Sequence, residues 1–358
     1  MKVVIAGAGF SGAVFARIAA EAGHSCTVFD SRAHLGGNAA DRTVAGIRVH
    51  SYGPHYFRTD SREVIAFLSR FCRWRRLTYR VMAGVGRRLV RFPVSAATYE
   101  DLFGRRLSPA AWQAELRRRA IVPPAARPPR NAEEWLLSRV GREFYELFYE
   151  GYTCKQWGLH PRELSPEIVA RVPVRLDNSW RYLNAGFQAL PAEGYTRLFE
   201  RLLAHPRIQL RTATAWDGSA GDLLVYTGPL DAFFGYSLGR LRYRSLEFRT
   251  RILPAHKLQP CGQVNYPRRE VPFTRRLEWK HLGGPTAKNT VITWEYPRSQ
   301  GEPFYPMPTP DDEAHADLYR KMAARQRRVI FLGRLATYRY INMDEAVRLS
   351  MLSAQALL

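Results

Sequence analysis

The chain has 358 residues, with 54 Lys and Arg against 32 Asp and Glu, giving a net charge of +22 at pH 7. That length suggests two or three domains, and 46% hydrophobic residues suffice for a large core, but no stretch approaches the roughly 20 apolar residues of a membrane helix. The excess charge is mostly arginine, clustered at Arg73-Trp74-Arg75-Arg76, Arg117-Arg118-Arg119 and Arg327-Arg328. No nucleic-acid-binding motif accompanies it, so it reads as a solvated basic surface plus a site for a small polyanion, with nucleic acid set aside as a partner.

The N-terminal residues run straight into an apolar strand, Lys2 to Ala6, which leaves no room for a removable signal peptide and predicts a cytoplasmic protein. Gly7-Ala8-Gly9-Phe10-Ser11-Gly12 follows, then a helix predicted over 13–22 and a second strand ending in Asp30, with Ser31 next to it as a further cofactor-binding candidate. A G-x-G-x-x-G at a strand-to-helix turn with an acid about 20 residues on is a dinucleotide fingerprint. The glycines allow close backbone approach, and the free N–H groups of the helix N-terminus take the pyrophosphate. Asp30 is the expected partner of the ribose hydroxyls. A second glycine turn, Leu35-Gly36-Gly37-Asn38, together with Arg32, favours a flavin dinucleotide over a nicotinamide one.

Asp60-Ser61-Arg62-Glu63 has the spacing of a capping box ahead of a helix. Residues 77–92 read as a hairpin, and a helical stretch over about 99–149 is broken at Pro123-Pro124 and Pro128-Pro129. Asn131 with Glu134 predicts the start of one helix in that stretch. A helix–strand pattern returns over 200–227, ending in Leu223-Leu224-Val225-Tyr226. Strand-like patterning occupies 241–306, and Val329 to Gly333 is a last buried strand. Asn342 with Glu345 caps a C-terminal helix.

The expected class is α/β. A discontinuous Rossmann-like FAD-binding domain (1–65, 195–235 and 320–358) carries an inserted, mainly helical domain (66–150). An antiparallel-sheet substrate domain with a lid (151–194 and 236–319) completes it. Cys26, Cys72, Cys154 and Cys261 lack any C-x-x-C spacing, so neither a zinc site nor a redox motif is indicated, and no metal is expected.

Arginines and aromatics recur together from residue 152 onward: Tyr152 and Trp157, Arg171 and Arg175, Tyr182, Arg244, Arg275, Tyr305, Arg334, Tyr338 and Tyr340. Guanidinium forks grip phosphate oxygens and aromatic faces stack on bases or sugars, so such a set suits a nucleoside diphosphate ligand. For any single member, core packing or surface charge is the competing reading. His55, in Tyr52-Gly53-Pro54-His55, follows the second glycine turn closely enough to reach a flavin.

In order, these segments resemble the UDP-galactopyranose mutase family over nearly the whole chain. Gly-Tyr-Thr-x-Lys-Gln-Trp-Gly at 151–158 is the most specific of them. Arg-x-Pro-Val-Arg at 171–175, Gly-Tyr-Thr at 194–196, Tyr-Thr-Gly-Pro at 226–229, Tyr-Arg-Ser-Leu at 243–246, Glu-Tyr-Pro at 295–297 and Gly-Arg-Leu-Ala at 333–336 support it. The resemblance implies an isomerase in which reduced FAD is a nucleophile. Its N5 attacks the anomeric carbon of a nucleotide sugar, the diphosphate leaves, and the ring recloses as pyranose or furanose without net redox change.

By position, Arg171 on a mobile lid and Arg275 opposite would hold the departing diphosphate. Tyr152, Trp157 and Tyr182 match nucleotide-side residues, with Phe148 placed to stack near the base, and Tyr305 and Tyr340 match phosphate-binding tyrosines. His55 supports the flavin, and Arg334 with the turn at Asn342 and Met343 contacts it. The resemblance further implies an external reductant such as NAD(P)H and a homodimer.

Several positions depart from the family: Arg58 where a second histidine is usual, Ser95 in place of an asparagine, the 185–188 segment, and Asn342 for an aspartate. These departures open the reading to substrates other than UDP-galactose, for example one carrying thymidine or a deoxy sugar. An oxidase or amine-oxidase-like flavoprotein and a non-catalytic nucleotide-sugar binder remain the alternative readings.

Overall fold

The computed structural model describes residues 1–121, 127–283 and 288–356. At its centre is a five-stranded parallel sheet in the spatial order Ile208–Arg211, Ser25–Phe29, Lys2–Ala6, Leu223–Tyr226 and Val329–Phe331. Val3, Ile5, Val28 and Val225 are fully or almost fully buried, as strands covered on both faces require. The helix Phe10–Glu21 lies on this sheet through Ala13, Ala16, Ala19 and Ala20, whose small side chains permit close approach, and the C-terminal helix Met343–Gln355 packs against it.

The first helix begins at Phe10 rather than at residue 13, because the fingerprint glycines are part of its entry. Gly12 is already helical, and a Cβ there would stand 1.9 Å from the Gly7 carbonyl oxygen. Other termini also differ from expectation. Ser61 caps the helix Arg62–Ser69 by accepting from the Val64 N–H, whereas Asp60 accepts from the Gly186 N–H, so there is no capping box. Asn131 does cap Ala132–Phe144, through the Glu134 N–H. Asn342 stands at the start of the last helix without a capping hydrogen bond.

The second sheet has seven strands, in the order Tyr305–Pro306, Tyr243–Leu253, Thr290–Arg298, Arg275–Glu278, Gln263–Asn265, Val81–Val85 and Arg88–Phe92. It is antiparallel except where Gln263–Asn265 runs parallel to Val81–Val85. The predicted hairpin thus lies in this sheet, so the 66–150 stretch contributes strands to it as well as helices. The helices there are Ala96–Phe103, Pro109–Arg119 and Ala132–Phe144, continued by a π-helical turn, Tyr145–Glu150, into Gly151–Trp157. Pro123-Pro124 lies outside the described residues.

A small sheet of Phe57–Thr59, Phe187–Pro191 and Trp74–Arg76 links the two halves, with Arg58 opposite Gln188. Among the described residues no helix is long and apolar enough to cross a membrane.

Candidate functional site

Two clefts meet at His55. The first follows the carboxyl ends of the parallel strands, where open α/β sheets bind ligands. Gly7, Gly9, Phe10, Ser11, Asp30, Ser31, Gly36, Gly37 and Asn38 line it, together with His55, Arg334, Asn342 and Met343. The two glycine turns touch: the Gly36 N–H donates to the Ala8 carbonyl at 3.0 Å, and a Cβ on Gly37 (φ +54°) would come within 3.2 Å of the Gly9 Cα.

Gly12 does not face the cleft; it seats the helix against Gly7. Asp30 is buried, and its carboxylate accepts from the Ala8 N–H at 2.8 Å and the Arg32 N–H at 2.9 Å. It therefore clamps the glycine turn while lining the cleft, leaving lone pairs for ribose hydroxyls. Arg32 ties Asn38 to the far wall: it donates to the Asn38 side-chain carbonyl at 3.0 Å, pairs with Glu302 and lies over the Tyr52 ring.

These features fit a dinucleotide. The floor is bare of side chains where the glycines meet, a helix N-terminus faces it, and Thr227 and Gly333 complete the rim. Any Cβ at Gly7 would collide with Thr227 Oγ1, at 2.0 Å. His55, Arg334, Asn342 and Met343 also line the second cavity, so a ligand in the first cleft would reach into the second there.

The second cavity is lined by Tyr52, His55, Tyr56, Arg58, Arg275, Glu295, Tyr305, Arg334, Tyr340 and Asp344, among others. Antiparallel register places Arg275 directly opposite Glu295, and their side chains form an ion pair at 3.4 Å. Glu295 is fully buried, so burial pushes its carboxyl above the usual range while Arg275 pulls it back. Burial opposes the Arg275 charge, but Glu295 and the nearby phenols outweigh it and hold that pKa well above the ordinary value. The Arg275 Nε donates to the Tyr152 hydroxyl at 2.8 Å.

The most specific sequence motif acts behind this pair. Lys155 donates to three carbonyls, those of Tyr266, Val271 and Phe273, and so fixes the loop that delivers Arg275. Arg244 is buried against the carbonyls of Lys155 and Gln156 at the end of the same helix, so it is structural and does not line the cavity.

Opposite, Arg171 ends the short helix Glu167–Ala170 and lies 3.4 Å from the Tyr340 ring centroid. Its Nη1 is buried without a hydrogen-bond partner. Tyr340 stacks on Tyr305 at 5.4 Å, Arg334 covers both rings, and Trp157 meets the Tyr305 edge at 6.1 Å. Burial raises the Tyr340 phenol, but Arg171, Arg334, Arg275 and Arg58 reverse this and leave it below its ordinary value. Tyr305, by contrast, is pushed up to about 12 by burial first and then by Tyr340.

His55 bonds the Gly53 carbonyl through Nδ1 at 2.9 Å, which places the ring proton on Nδ1 and leaves Nε2 as an acceptor. Burial, with Arg334 and Arg275, lowers its pKa to about 4, against the opposing Gly53 bond, so the ring is neutral near pH 7.

Tyr182 stands just outside the cavity lining, packed edge-on against Tyr79. Phe148 is buried between Phe92 and Phe144 and lines neither cleft; it lies one ring behind Tyr182, through Phe92. Cys154 accepts from Arg269 and its thiol is raised by burial, which makes it a poor nucleophile. Glu295 and Arg58, both cavity-lining, were not among the sequence-derived site residues. Glu295 heads the Glu-Tyr-Pro motif at 295–297, but only the strand register shows that it meets Arg275.

The profile of UDP-galactopyranose mutase matches residues 147–340, and that of an NAD(P)-binding Rossmann-like domain matches residues 5–71. A probable UDP-galactopyranose mutase of Klebsiella pneumoniae is 34% identical, across 100% of this chain and 94% of that protein. The dTDP-fucopyranose mutase of Escherichia coli is 32% identical, across 99% of this chain and 97% of that one. Among solved structures, reduced UDP-galactopyranose mutase shares the fold, with a TM-score of 0.77 at 18% identity over 99% of this chain and 93% of that one. Putrescine oxidase shares it less closely, with a TM-score of 0.60 at 12% identity over 100% of this chain and 99% of that one.

Proposed function

This chain belongs to the UDP-galactopyranose mutase family, and we propose that it interconverts the pyranose and furanose forms of a nucleoside diphosphate sugar with reduced FAD in the glycine-lined cleft. It is an intramolecular transferase. The observation that carries the reading is the basic, aromatic-walled cavity that opens onto the glycine-lined cleft at His55.

Gly9, Gly37, Ser11 and Asn38 would hold the cofactor's pyrophosphate and ribose region, and Arg334, Asn342 and Met343 its inner end. When bound, the reduced flavin supplies the electron pair that displaces diphosphate from the anomeric carbon. The chain's own task is to keep that diphosphate close. Arg275 is oriented by Tyr152 and Glu295, so its remaining N–H groups are aimed before the ligand arrives. Arg171 has an unpartnered Nη1 to offer from the other side. Two preorganised guanidiniums stabilise the charge that builds on the leaving oxygen and retain the diphosphate until the sugar ring recloses. Neutral His55 presents Nε2 as an acceptor at the junction, where it can orient an N–H or O–H without adding positive charge.

The same cavity disfavours the amine-oxidase reading. Arg58, Arg275 and Arg334 line it, with Arg171 against Tyr340 in its wall, and a cationic amine would be repelled there. The substrate is proposed to be a UDP- or dTDP-linked hexose or deoxyhexose. Dithionite-reduced protein assayed in parallel with UDP-galactofuranose and dTDP-fucofuranose tests this. Conversion of at least one to its pyranose is expected, and failure with both would overturn the reading.

A further inference from the structure

Arg58 lies on the strand Phe57–Thr59, and its side chain lines the basic cavity. The other cations there are already engaged. Arg275 pairs with Glu295 and donates to Tyr152. Arg334 donates to the carbonyls of Phe304 and Ile341. Arg171, beside the cavity, stacks on Tyr340 and donates through Nη2 to the Ile168 carbonyl, with its Nη1 left unpartnered. The Arg58 guanidinium has no hydrogen-bond, ion-pair or ring partner among the described residues.

Its neighbours are otherwise engaged, Asp344 apart. Gln188, opposite on the neighbouring strand, spends its amide on Tyr79, Leu183 and Ala185. Of the two carboxylates lining the cavity, Glu295 is taken by Arg275, which leaves only Asp344. Arg58 is half-buried, and an unpaired guanidinium lining a cavity is a natural partner for an anion.

We propose that Arg58 binds a phosphoryl oxygen of the ligand's diphosphate, as a further guanidinium beside Arg171 and Arg275. The inference rests on the nucleotide-sugar reading above. Arg58, Arg275 and Arg334 line the cavity and Arg171 stacks on Tyr340 in its wall; against the two lining carboxylates, Glu295 and Asp344, these four guanidiniums leave an excess of two positive charges, the charge of a diphosphate diester. The lowering of the Tyr340 phenol by these same four arginines registers that positive potential. A planar fork suits phosphate, which it can grip through two N–H groups at once.

The test is titration of FAD-loaded, full-length protein with UDP and with dTDP, followed by calorimetry at low and at physiological salt, for the wild type, Arg58→Gln and Arg58→Lys. The wild type is expected to bind at least one of the two. Arg58→Gln should weaken that binding by about tenfold or more and flatten its salt dependence, and Arg58→Lys should recover part of the loss.

Unchanged melting temperature and flavin spectrum in Arg58→Gln identify the loss as local. If Arg58→Gln does not fold, Arg58→Lys carries the comparison, with weaker binding still expected because the fork is gone. Wild-type binding with Arg58→Gln, or in that case Arg58→Lys, within twofold of it at both salts overturns the inference alone and points Arg58 at another group, such as a carboxylate on the sugar. Absence of binding to both nucleotides by the wild type overturns the nucleotide-sugar reading and this inference with it.

Discussion

The Nδ1 of His55 bonds the Gly53 carbonyl at 2.9 Å, and this fixes the ring's tautomer at the point where the two clefts meet. Because burial and two arginines lower the folded-state pKa to about 4, the native protein excludes a proton that the unfolded chain takes up near the ordinary value of about 6.5. The sign follows: this contribution is fully present above about pH 6.5 and is lost as pH falls toward 4. Melting temperatures from pH 7 to pH 4 should therefore decline less steeply in His55→Asn than in the wild type. Parallel profiles would show that His55 titrates freely in the native state.

Arg275, partly buried, and Glu295, fully buried, form an ion pair in the wall of the basic cavity. Removing one partner strands the other, a loss of about 3–5 kcal/mol where a buried charge is left unpaired. Arg275→Ala is predicted to lose both turnover and stability. Adding Glu295→Gln should restore much of the stability and none of the turnover. Denaturant unfolding with activity measured on the same samples separates the two effects.

Gly12 and Gly37 act differently despite belonging to one signal. A Cβ on Gly12 would meet the Gly7 carbonyl at 1.9 Å and Ile5 at 2.9 Å, so Gly12→Ala should cost stability, about 1–3 kcal/mol as for overpacked sites. Gly37 lines the cleft with φ +54°, and its Cβ would approach the Gly9 Cα. Gly37→Ala should fold with a smaller penalty of about 1–2 kcal/mol and retain less flavin after purification. Absorbance ratios at the flavin and protein bands read this directly.

Arg171 and Arg117 contrast an arginine packed against the cavity wall with a surface one. Arg171 is stacked on Tyr340 with a buried free N–H group, whereas Arg117 is exposed on the helix Pro109–Arg119. Arg171→Ala should lower kcat/KM by about a hundredfold or more, the scale of one lost transition-state donor, and Arg117→Ala by less than about twofold. Equal losses would remove Arg171 from the diphosphate site.

Much of this architecture is legible in the sequence. The glycine spacing marks the dinucleotide turn because only glycine tolerates the contacts at Gly7, Gly12 and Gly37. Buried strands such as Leu223–Tyr226 announce themselves as short apolar runs. What sequence cannot supply is register and side-chain direction. Glu295 meets Arg275 through strand pairing, and Phe148, on a π-helical turn next to the Gly-Tyr-Thr-x-Lys-Gln-Trp-Gly motif, faces the core. Residues 81–92 form the expected hairpin, yet only tertiary pairing with Gln263–Asn265 places it in the second sheet. Asn342 has cap-forming chemistry, but its side chain makes no cap bond and the residue lines both clefts instead.

The most direct test compares the oxidised and the dithionite-reduced protein, each saturated with FAD, on UDP-galactofuranose and dTDP-fucofuranose, with pyranose formation followed by chromatography and oxygen uptake monitored in parallel. The account predicts conversion of at least one substrate by the reduced protein, none by the oxidised protein, and no oxygen consumption tied to turnover. Equal conversion in both redox states, or no conversion in either, would contradict it.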